Sequence, residues 1–118
     1  MNASLLTTMV ERLGVAPRAP LYSFLDRHGQ EVDSAHCEEI VRRAAGTADF
    51  LRTAGVGPGD PVLLIFPPDG LEFVAGFFGC MLVGAIAVPV ASPDPRYLDR
   101  ELPKLRHVVE DSGARVAL

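Results

Sequence analysis

The sequence has 118 residues, of which 48% are hydrophobic and 22% are charged, and its formal net charge is −4 at pH 7. This length suits one domain, and the acidic balance argues against a nucleic-acid-binding protein, because phosphate binding relies on clustered Lys and Arg. The two cysteines, Cys37 and Cys80, are too few for a disulfide framework and lack zinc-site spacing, so we predict that both are reduced and packed.

The first predicted element is a short amphipathic helix over residues 3–13, where apolar residues recur at helical spacing. Gly14 and Pro17 are predicted to end it. No basic stretch precedes the apolar residues, so the N-terminus does not have the pattern of a signal peptide, and we expect a cytoplasmic protein. We assign residues 1–19 to an N-terminal helix and linker.

A small β-hairpin is predicted next. Leu21–Asp26 contains two aromatic residues and has the character of a strand, and Glu31–Val32 can pair back onto it. Asp26 and Gly29 supply turn chemistry between the two segments.

The clearest helix is predicted over Asp33–Ala54. Its apolar residues share one face: Cys37, Ile40, Val41, Ala44, Ala48 and Leu51. Asp33 or Ser34 is expected to cap its N-terminus, and Gly55 is expected to adopt the left-handed conformation after its C-terminus. The sequence GVGPGD then leads into Pro61–Phe66, an uninterrupted apolar run typical of a strand buried on both faces of a parallel sheet.

The segment from Phe73 to Ala91 carries no charge over nineteen residues, which raises the possibility of a membrane span. Two residues divide it, because Gly84 can end a helix and Pro89 would disrupt one. A helix over Gly70–Val83 is about 21 Å long, whereas a bilayer core is about 30 Å thick. We therefore predict no membrane span.

The nineteen residues are instead predicted to form a buried helix and a buried strand, Ala85–Val90. Asp69 and Glu72 have the spacing of a capping box at the start of the helix. The apolar stripe of this helix comprises Leu71, Val74, Phe78, Met81 and Leu82. Its other faces carry small residues, including Gly76 and Gly79, which allow neighbouring backbones to approach closely.

After the strand, SPDPRYLDREL is predicted to be a polar loop or short helical turn. Pro103 is placed near the start of a last helix, where proline is tolerated, and Gly113 is expected to close it. The final residues ARVAL are predicted to begin another strand.

Helix and strand therefore alternate from Asp33 onwards, which predicts an α/β fold with a mostly parallel sheet and right-handed crossovers, preceded by the small β-hairpin. The sequence stops in the middle of this last apolar strand, with no turn, charge or cap to end it. A three-stranded parallel sheet with open edges is also a poor independent unit. We expect a part of a larger α/β domain, or a module that a partner completes.

Two glycine-containing motifs are candidates for phosphate binding. GVGPGD follows a helix and opens a strand, the reverse of the dinucleotide-binding order, so we interpret it as a helix cap and a tight turn. PPDG, residues 67–70, does lie between a strand and a helix. However, its prolines lack N–H donors and Asp69 would repel a phosphate.

Other groups of polar residues carry no recognisable catalytic pattern. His28, His36 and His107 are far apart in sequence. Contiguous helical residues point in different directions, so the following group would make a poor metal site: His36, Cys37, Glu38 and Glu39. A charged cluster is interpreted as a solvated loop, with an interaction surface as the alternative: Asp94, Arg96, Asp99, Arg100 and Glu101. We assign no catalytic, cofactor-binding or metal-binding residue to this chain.

The segment VLLIFPPDGLEFVAGFFGCMLVGAIAVPVASPDP resembles the N-terminal part of fatty acyl-AMP ligases, which belong to the adenylate-forming superfamily with the acyl-CoA synthetases. The resemblance extends upstream through YSFLDRHGQEV and downstream through LPKLRHVVEDSGARVAL, and so covers residues 20–118. It implies a partial N-terminal subdomain of the large domain, which continues beyond residue 118 in the family. DSAHCEEI and VASPDP depart from the usual pattern, and the first lacks a usual aromatic anchor.

The resemblance also implies a function. Such ligases activate a fatty acid with ATP and magnesium, and pass the acyl group to an acyl carrier protein of a polyketide or lipopeptide assembly line. Their catalytic motifs lie downstream of every residue in this chain, so we expect it to act as a scaffold, to bind no cofactor and to be inactive alone. The alternatives are a standalone docking module derived from the same family, or a fragment of an acyl-CoA ligase.

Overall fold

The computed structural model describes residues 4–66 and 70–118. The α-helices are α1 (Leu5–Val15), α2 (Cys37–Thr53), α3 (Leu71–Val83) and α4 (Leu98–Ser112), with a 3-10 turn at Pro95–Tyr97. The strands are β1 (Pro20–Leu25), β2 (Glu31–His36), β3 (Pro61–Leu64), β4 (Ile86–Pro89) and β5 (Val116–Ala117).

Strands β3, β4 and β5 form a parallel sheet in the order β4–β3–β5, and β1 and β2 form an antiparallel hairpin. In the central strand, Val62 lies opposite Ala87 on one side and Val116 on the other. Val62, Leu63 and Leu64 are all buried. Because neighbouring side chains in a strand point to opposite faces, both faces of β3 are covered. The predictions of an α/β fold, a parallel sheet and a hairpin are confirmed.

Helix α3 is packed tightly between α2 and the sheet, and two glycines allow this. A Cβ atom added at Gly79 would lie 2.5 Å from Cγ2 of Thr47 on α2 and 3.2 Å from the carbonyl oxygen of Ala44. A Cβ atom added at Gly76 would lie 3.3 Å from the Phe66 ring and 3.5 Å from Leu64. The small residues predicted to permit close approach therefore do so on two faces of the helix.

Two apolar clusters meet at α3. The first joins α1, the hairpin, α2 and α3, and its buried residues are Met9, Ala35, Cys37, Ile40, Ala44, Leu71, Val74 and Phe78. The second joins α2, α3 and the sheet, and its buried residues are Ala48, Leu51, Val56, Val62, Leu64, Cys80 and Val83. Because α2 and α3 both contribute to both clusters, this pair of helices connects the N-terminal half of the chain to the parallel sheet.

The start of α2 differs from the prediction. Residues 33–36 belong to β2, and the helix begins at Cys37 because pairing with β1 keeps these residues extended. The capping side chain is His36 rather than Asp33 or Ser34, and its Nδ1 atom accepts a hydrogen bond from the Glu39 amide at 3.2 Å. Gly55 does adopt a positive φ of 86°, as predicted.

The first and last helices also differ at their ends. Helix α1 continues through Gly14 to Val15, and it stops where Ala16 precedes Pro17, a position that disfavours helical backbone. Helix α4 begins at Leu98, so Pro103 is its sixth residue instead of lying near the start.

The earlier start of α4 follows from the preceding turn. The Asp94 side chain accepts a hydrogen bond from the Arg96 amide and initiates helical backbone there. At the other end of α4, Gly113 has φ 72° and closes the helix, and Gly84 with φ 75° closes α3. Asp69 of the predicted capping box lies outside the described residues, and Gly70 is the N-cap residue of α3.

The uncharged segment is divided into a helix and a strand as predicted, since α3 ends at Val83 and β4 begins at Ile86. The prediction that this strand is buried is wrong, because β4 lies at the edge of the sheet and Ile86 is 55% exposed. Among the described residues, no helix combines the length and the apolar character needed to cross a bilayer.

The close approach at Gly79 predicts that Gly79→Ala destabilises the chain. The added methyl group would overlap Thr47, and overpacking of this kind costs about 1–3 kcal/mol of unfolding free energy. Urea denaturation should show a lower midpoint with an unchanged slope.

Gly46→Ala is the matched control, because Gly46 lies within α2 and a Cβ atom there would meet nothing within 4 Å. This substitution should raise the unfolding free energy by about 0.5–1 kcal/mol through helix propensity alone. An increase of similar size for Gly79→Ala would contradict the packing described for α2 and α3.

Candidate functional site

Ligands of open α/β sheets bind beyond the carboxyl ends of the parallel strands, so this edge is the candidate site. The Val90 amide after β4 donates to the Leu64 carbonyl at 2.9 Å, and the Ser92 hydroxyl donates to the Ile65 carbonyl at 3.3 Å. These bonds hold the ends of β3 and β4 together and orient the polar loop that follows β4. Of the PPDG motif, only Gly70 belongs to the described residues.

The GVGPGD segment has its amide donors already engaged. The Gly57 amide donates to the Asp60 carboxylate at 2.8 Å, and the Gly59 amide donates to the Gly84 carbonyl at 2.9 Å. A carboxylate at this position would also repel a phosphate group. The segment acts as the helix cap and tight turn that the sequence indicated, and it does not fit a phosphate ligand.

The three histidines lie on separate elements. His28 lies in the hairpin turn, where its Nε2 atom accepts from Arg27 at 3.4 Å, and His107 lies on the exposed side of α4. His36 caps α2, a role that sequence analysis missed because histidine is an uncommon capping residue. Within residues 4–66 and 70–118, no three His, Cys, Asp or Glu side chains converge to form a metal site.

The predicted charged cluster after β4 is only partly assembled. Arg96 binds the Asp94 carboxylate through Nη2 at 2.9 Å and Nε at 3.2 Å, and these side-chain bonds lower the pKa of Asp94 and raise the pKa of Arg96. The guanidinium groups of Arg96 and Arg100 also lie over the Tyr97 ring, 5.6 Å and 5.4 Å from its centre. Because this arrangement is exposed, it organises the surface of the loop instead of forming a buried site.

Both cysteines are free and fully buried, as predicted. Burial raises the pKa of the Cys80 thiol, which disfavours the reactive thiolate form. The Cys37 thiol lies 3.6 Å from the carbonyl oxygen of Met9 and the same distance from its sulfur. Both side chains therefore serve the packing of the two apolar clusters.

An aromatic cavity and a more polar cavity lie away from the carboxyl ends of the strands. One, of about 310 Å³, lies between α1, β1 and α3 and is lined mainly by aromatic rings, namely Tyr22, Phe24, Phe73, Phe77 and Phe78. The other, of about 500 Å³, lies at the amino ends of β3 and β5 and includes the side chains of Asp60 and Arg115. Neither cavity was indicated by the sequence, because each depends on elements that are distant along the chain.

Comparison with known proteins identifies the family. The profile of the AMP-binding enzyme family matches residues 15–118. A solved fatty acid AMP ligase from Legionella pneumophila superposes with a TM-score of 0.85 and 30% identity, over 99% of this chain and 19% of that one.

Two curated relatives differ in their descriptions. The medium-chain-fatty-acid–acyl-carrier-protein ligase JamA of Moorena producens is 39% identical over 97 residues, which cover 82% of this chain and 16% of the relative. Disco-interacting protein 2 homolog B-A of Danio rerio is 37% identical over 103 residues, which cover 86% of this chain and 6% of the relative. The chain thus spans less than a fifth of the length of either relative.

The profile match, the parallel sheet with its preceding hairpin and the superposition agree with the resemblance found in the sequence. The chain belongs to the AMP-binding enzyme family, and it corresponds to the N-terminal part of the fatty acyl-AMP ligases within the adenylate-forming superfamily.

Proposed function

We propose that this chain is the N-terminal scaffold of a fatty acyl-AMP ligase. The observation that carries the proposal is the match of nearly the whole chain, hairpin, helices and sheet together, to a solved fatty acid AMP ligase. In this role β3 and β4 with α3 support the layer on which the acyl and nucleotide sites are built. Residues 1–19 form the N-terminal helix and linker, and residues 20–118 form part of the N-terminal subdomain.

The proposed reaction has two steps. A fatty acid carboxylate attacks the α-phosphate of ATP and releases pyrophosphate. The phosphopantetheine thiol of an acyl carrier protein then attacks the acyl-adenylate carbonyl, which forms a thioester and releases AMP. The relative described as an acyl-carrier-protein ligase supports the second step. We place this enzyme in the cytoplasm, at the start of a polyketide or lipopeptide assembly line.

ATP and magnesium are proposed to bind the part of the enzyme beyond this segment. The described residues bring together no carboxylate cluster for magnesium, and the amides of GVGPGD are engaged within the protein. The proposal therefore gives this chain no catalytic and no cofactor-binding residue.

The partner proposed for this chain is the remainder of the ligase domain. Parallel sheets are normally covered on both faces, yet Ile86 in the edge strand β4 is 55% exposed. Helix α4 contains no buried residue, although its inward side carries Leu105, Val108 and Val109. Further strands and helices would cover these surfaces.

A second candidate function is a non-catalytic docking module, which the similarity to Disco-interacting protein 2 homologues favours. Such a module would use the same open surfaces to bind another protein. The reading frame after Leu118 separates the two candidates, because the ligase requires a further Ser/Thr/Gly-rich phosphate loop and the module does not.

The scaffold proposal predicts that the 118-residue chain alone catalyses no fatty-acid-dependent exchange between ATP and pyrophosphate. A longer protein from the same reading frame, with the phosphate loop, should catalyse it with medium-chain or long-chain fatty acids. Exchange by the isolated chain would overturn the scaffold role, and a complete but inactive protein would favour the docking module.

The carrier-protein step predicts that the complete enzyme adds one acyl group to a phosphopantetheine-bearing acyl carrier protein, detected as a mass increase of the carrier. A carrier whose phosphopantetheine serine is replaced by alanine is the matched control and should gain no mass. Transfer to coenzyme A instead would indicate the acyl-CoA ligase alternative.

A further inference from the structure

We propose that the aromatic cavity between α1, β1 and α3 binds the alkyl chain of a medium-chain fatty acid. The cavity has a volume of about 310 Å³. The chain contains two tyrosines, six phenylalanines and no tryptophan, and five of these eight rings line this one cavity. The remaining lining residues are Leu5 and Val74, so the lining consists of aromatic and aliphatic side chains alone.

The rings form two walls. Tyr22 and Phe24 alternate along β1 and share one face of the strand, and their rings lie 17° from parallel with centres 6.5 Å apart. Phe73 and Phe77 share one face of α3, and their rings lie 22° from parallel with centres 6.4 Å apart. Phe78 packs edge-on against Phe77 and is only 3% exposed, so it forms the buried end of the cavity.

The open end of the cavity lies at the start of α1. Leu5 is the first residue of this helix, lines the cavity and is 55% exposed. A ligand would therefore extend from the solvent beside Leu5 to the buried ring of Phe78. A fatty acid has the matching polarity, because its tail can enter the cavity while its carboxylate stays in water.

The lining disfavours polar ligands. No lining side chain is charged, and the Tyr22 hydroxyl is the single polar side-chain group among them. A buried water or a nucleotide needs several polar partners, which these residues do not supply. An alkyl chain needs none, and it gains free energy by leaving water.

The size of the cavity sets the length of the chain that fits. An apolar cavity of about 150 Å³ holds one benzene molecule, so a cavity of twice that volume holds about twelve carbon atoms. The relative JamA is described as a medium-chain-fatty-acid ligase. The choice of an alkyl ligand rests on the proposed function, in which a fatty acid is the substrate, whereas the shape and polarity of the cavity do not.

The test titrates the full chain with the sodium salts of hexanoic, octanoic, decanoic, dodecanoic and hexadecanoic acid, below the concentrations at which they form micelles. Tyr97→Phe leaves Tyr22 as the only tyrosine, so its fluorescence reports on the cavity. Each methylene that enters the cavity should tighten binding about fourfold. The gain should stop near about twelve carbons, because further methylenes stay in water.

Leu5→Asp places a carboxylate at the open end of the cavity and is compatible with the positive N-terminus of α1. It should weaken decanoate binding about tenfold, because it removes an apolar contact and repels the fatty acid carboxylate. Thr8→Asp is the matched control, since Thr8 is exposed on the same helix, lies outside the lining and gains the same charge. This control should leave binding unchanged.

The titration contains no ATP, so failure of this site and failure of the proposed ligase reaction are separate results. The proposal is overturned by the absence of saturable decanoate binding, or by an affinity that keeps rising to hexadecanoate, as in nonspecific adsorption. Equal weakening in Leu5→Asp and Thr8→Asp would also overturn it. Tighter binding of 2-naphthol than of decanoate would instead assign the cavity to planar aromatic molecules.

Discussion

The close approach of helices α2 and α3 at Gly79 is the constraint on which the rest of the fold depends. A methyl group at this position would lie 2.5 Å from the Thr47 side chain, so only glycine lets the two helices pack at this distance. With α3 fixed against α2 on one side and Gly76 against the sheet on the other, the two apolar clusters share this pair of helices. The hairpin and the N-terminal helix are attached to the sheet through α2 and α3.

The features that the sequence could predict are those that depend on residues close together along the chain. Element type and order followed from local patterns: the apolar run at Pro61–Phe66, the glycine at position 84 and the small residues of α3 are each interpretable from neighbouring residues. The exact start of α2 could not be predicted from local patterns, because Asp33 and Ser34 are by themselves good capping residues. In the structure both residues belong to β2, because they pair with β1, and this pairing is not visible in the local sequence.

The candidate site was less predictable than the fold. His36 caps α2 because of the local backbone geometry, and Tyr97 lies beneath the guanidinium groups of Arg96 and Arg100. Neither a histidine nor a tyrosine signals such a role in a sequence. The aromatic cavity between α1, β1 and α3 required three elements to be placed together. The interpretation of GVGPGD succeeded because its position between a helix and a strand already excluded the dinucleotide-binding geometry.

The proposed scaffold role is consistent with a chain whose glycines determine the packing and whose polar groups bind one another. Asp60 binds the turn amide of Gly57, Arg96 binds Asp94, and both cysteines are buried, so these groups are already committed within the structure. The surfaces that are not committed are apolar: the exposed Ile86 of β4 and the amphipathic helix α4. Surfaces of this kind bind other parts of a protein more readily than a polar substrate such as ATP, and this is the physical argument behind the proposed scaffold role.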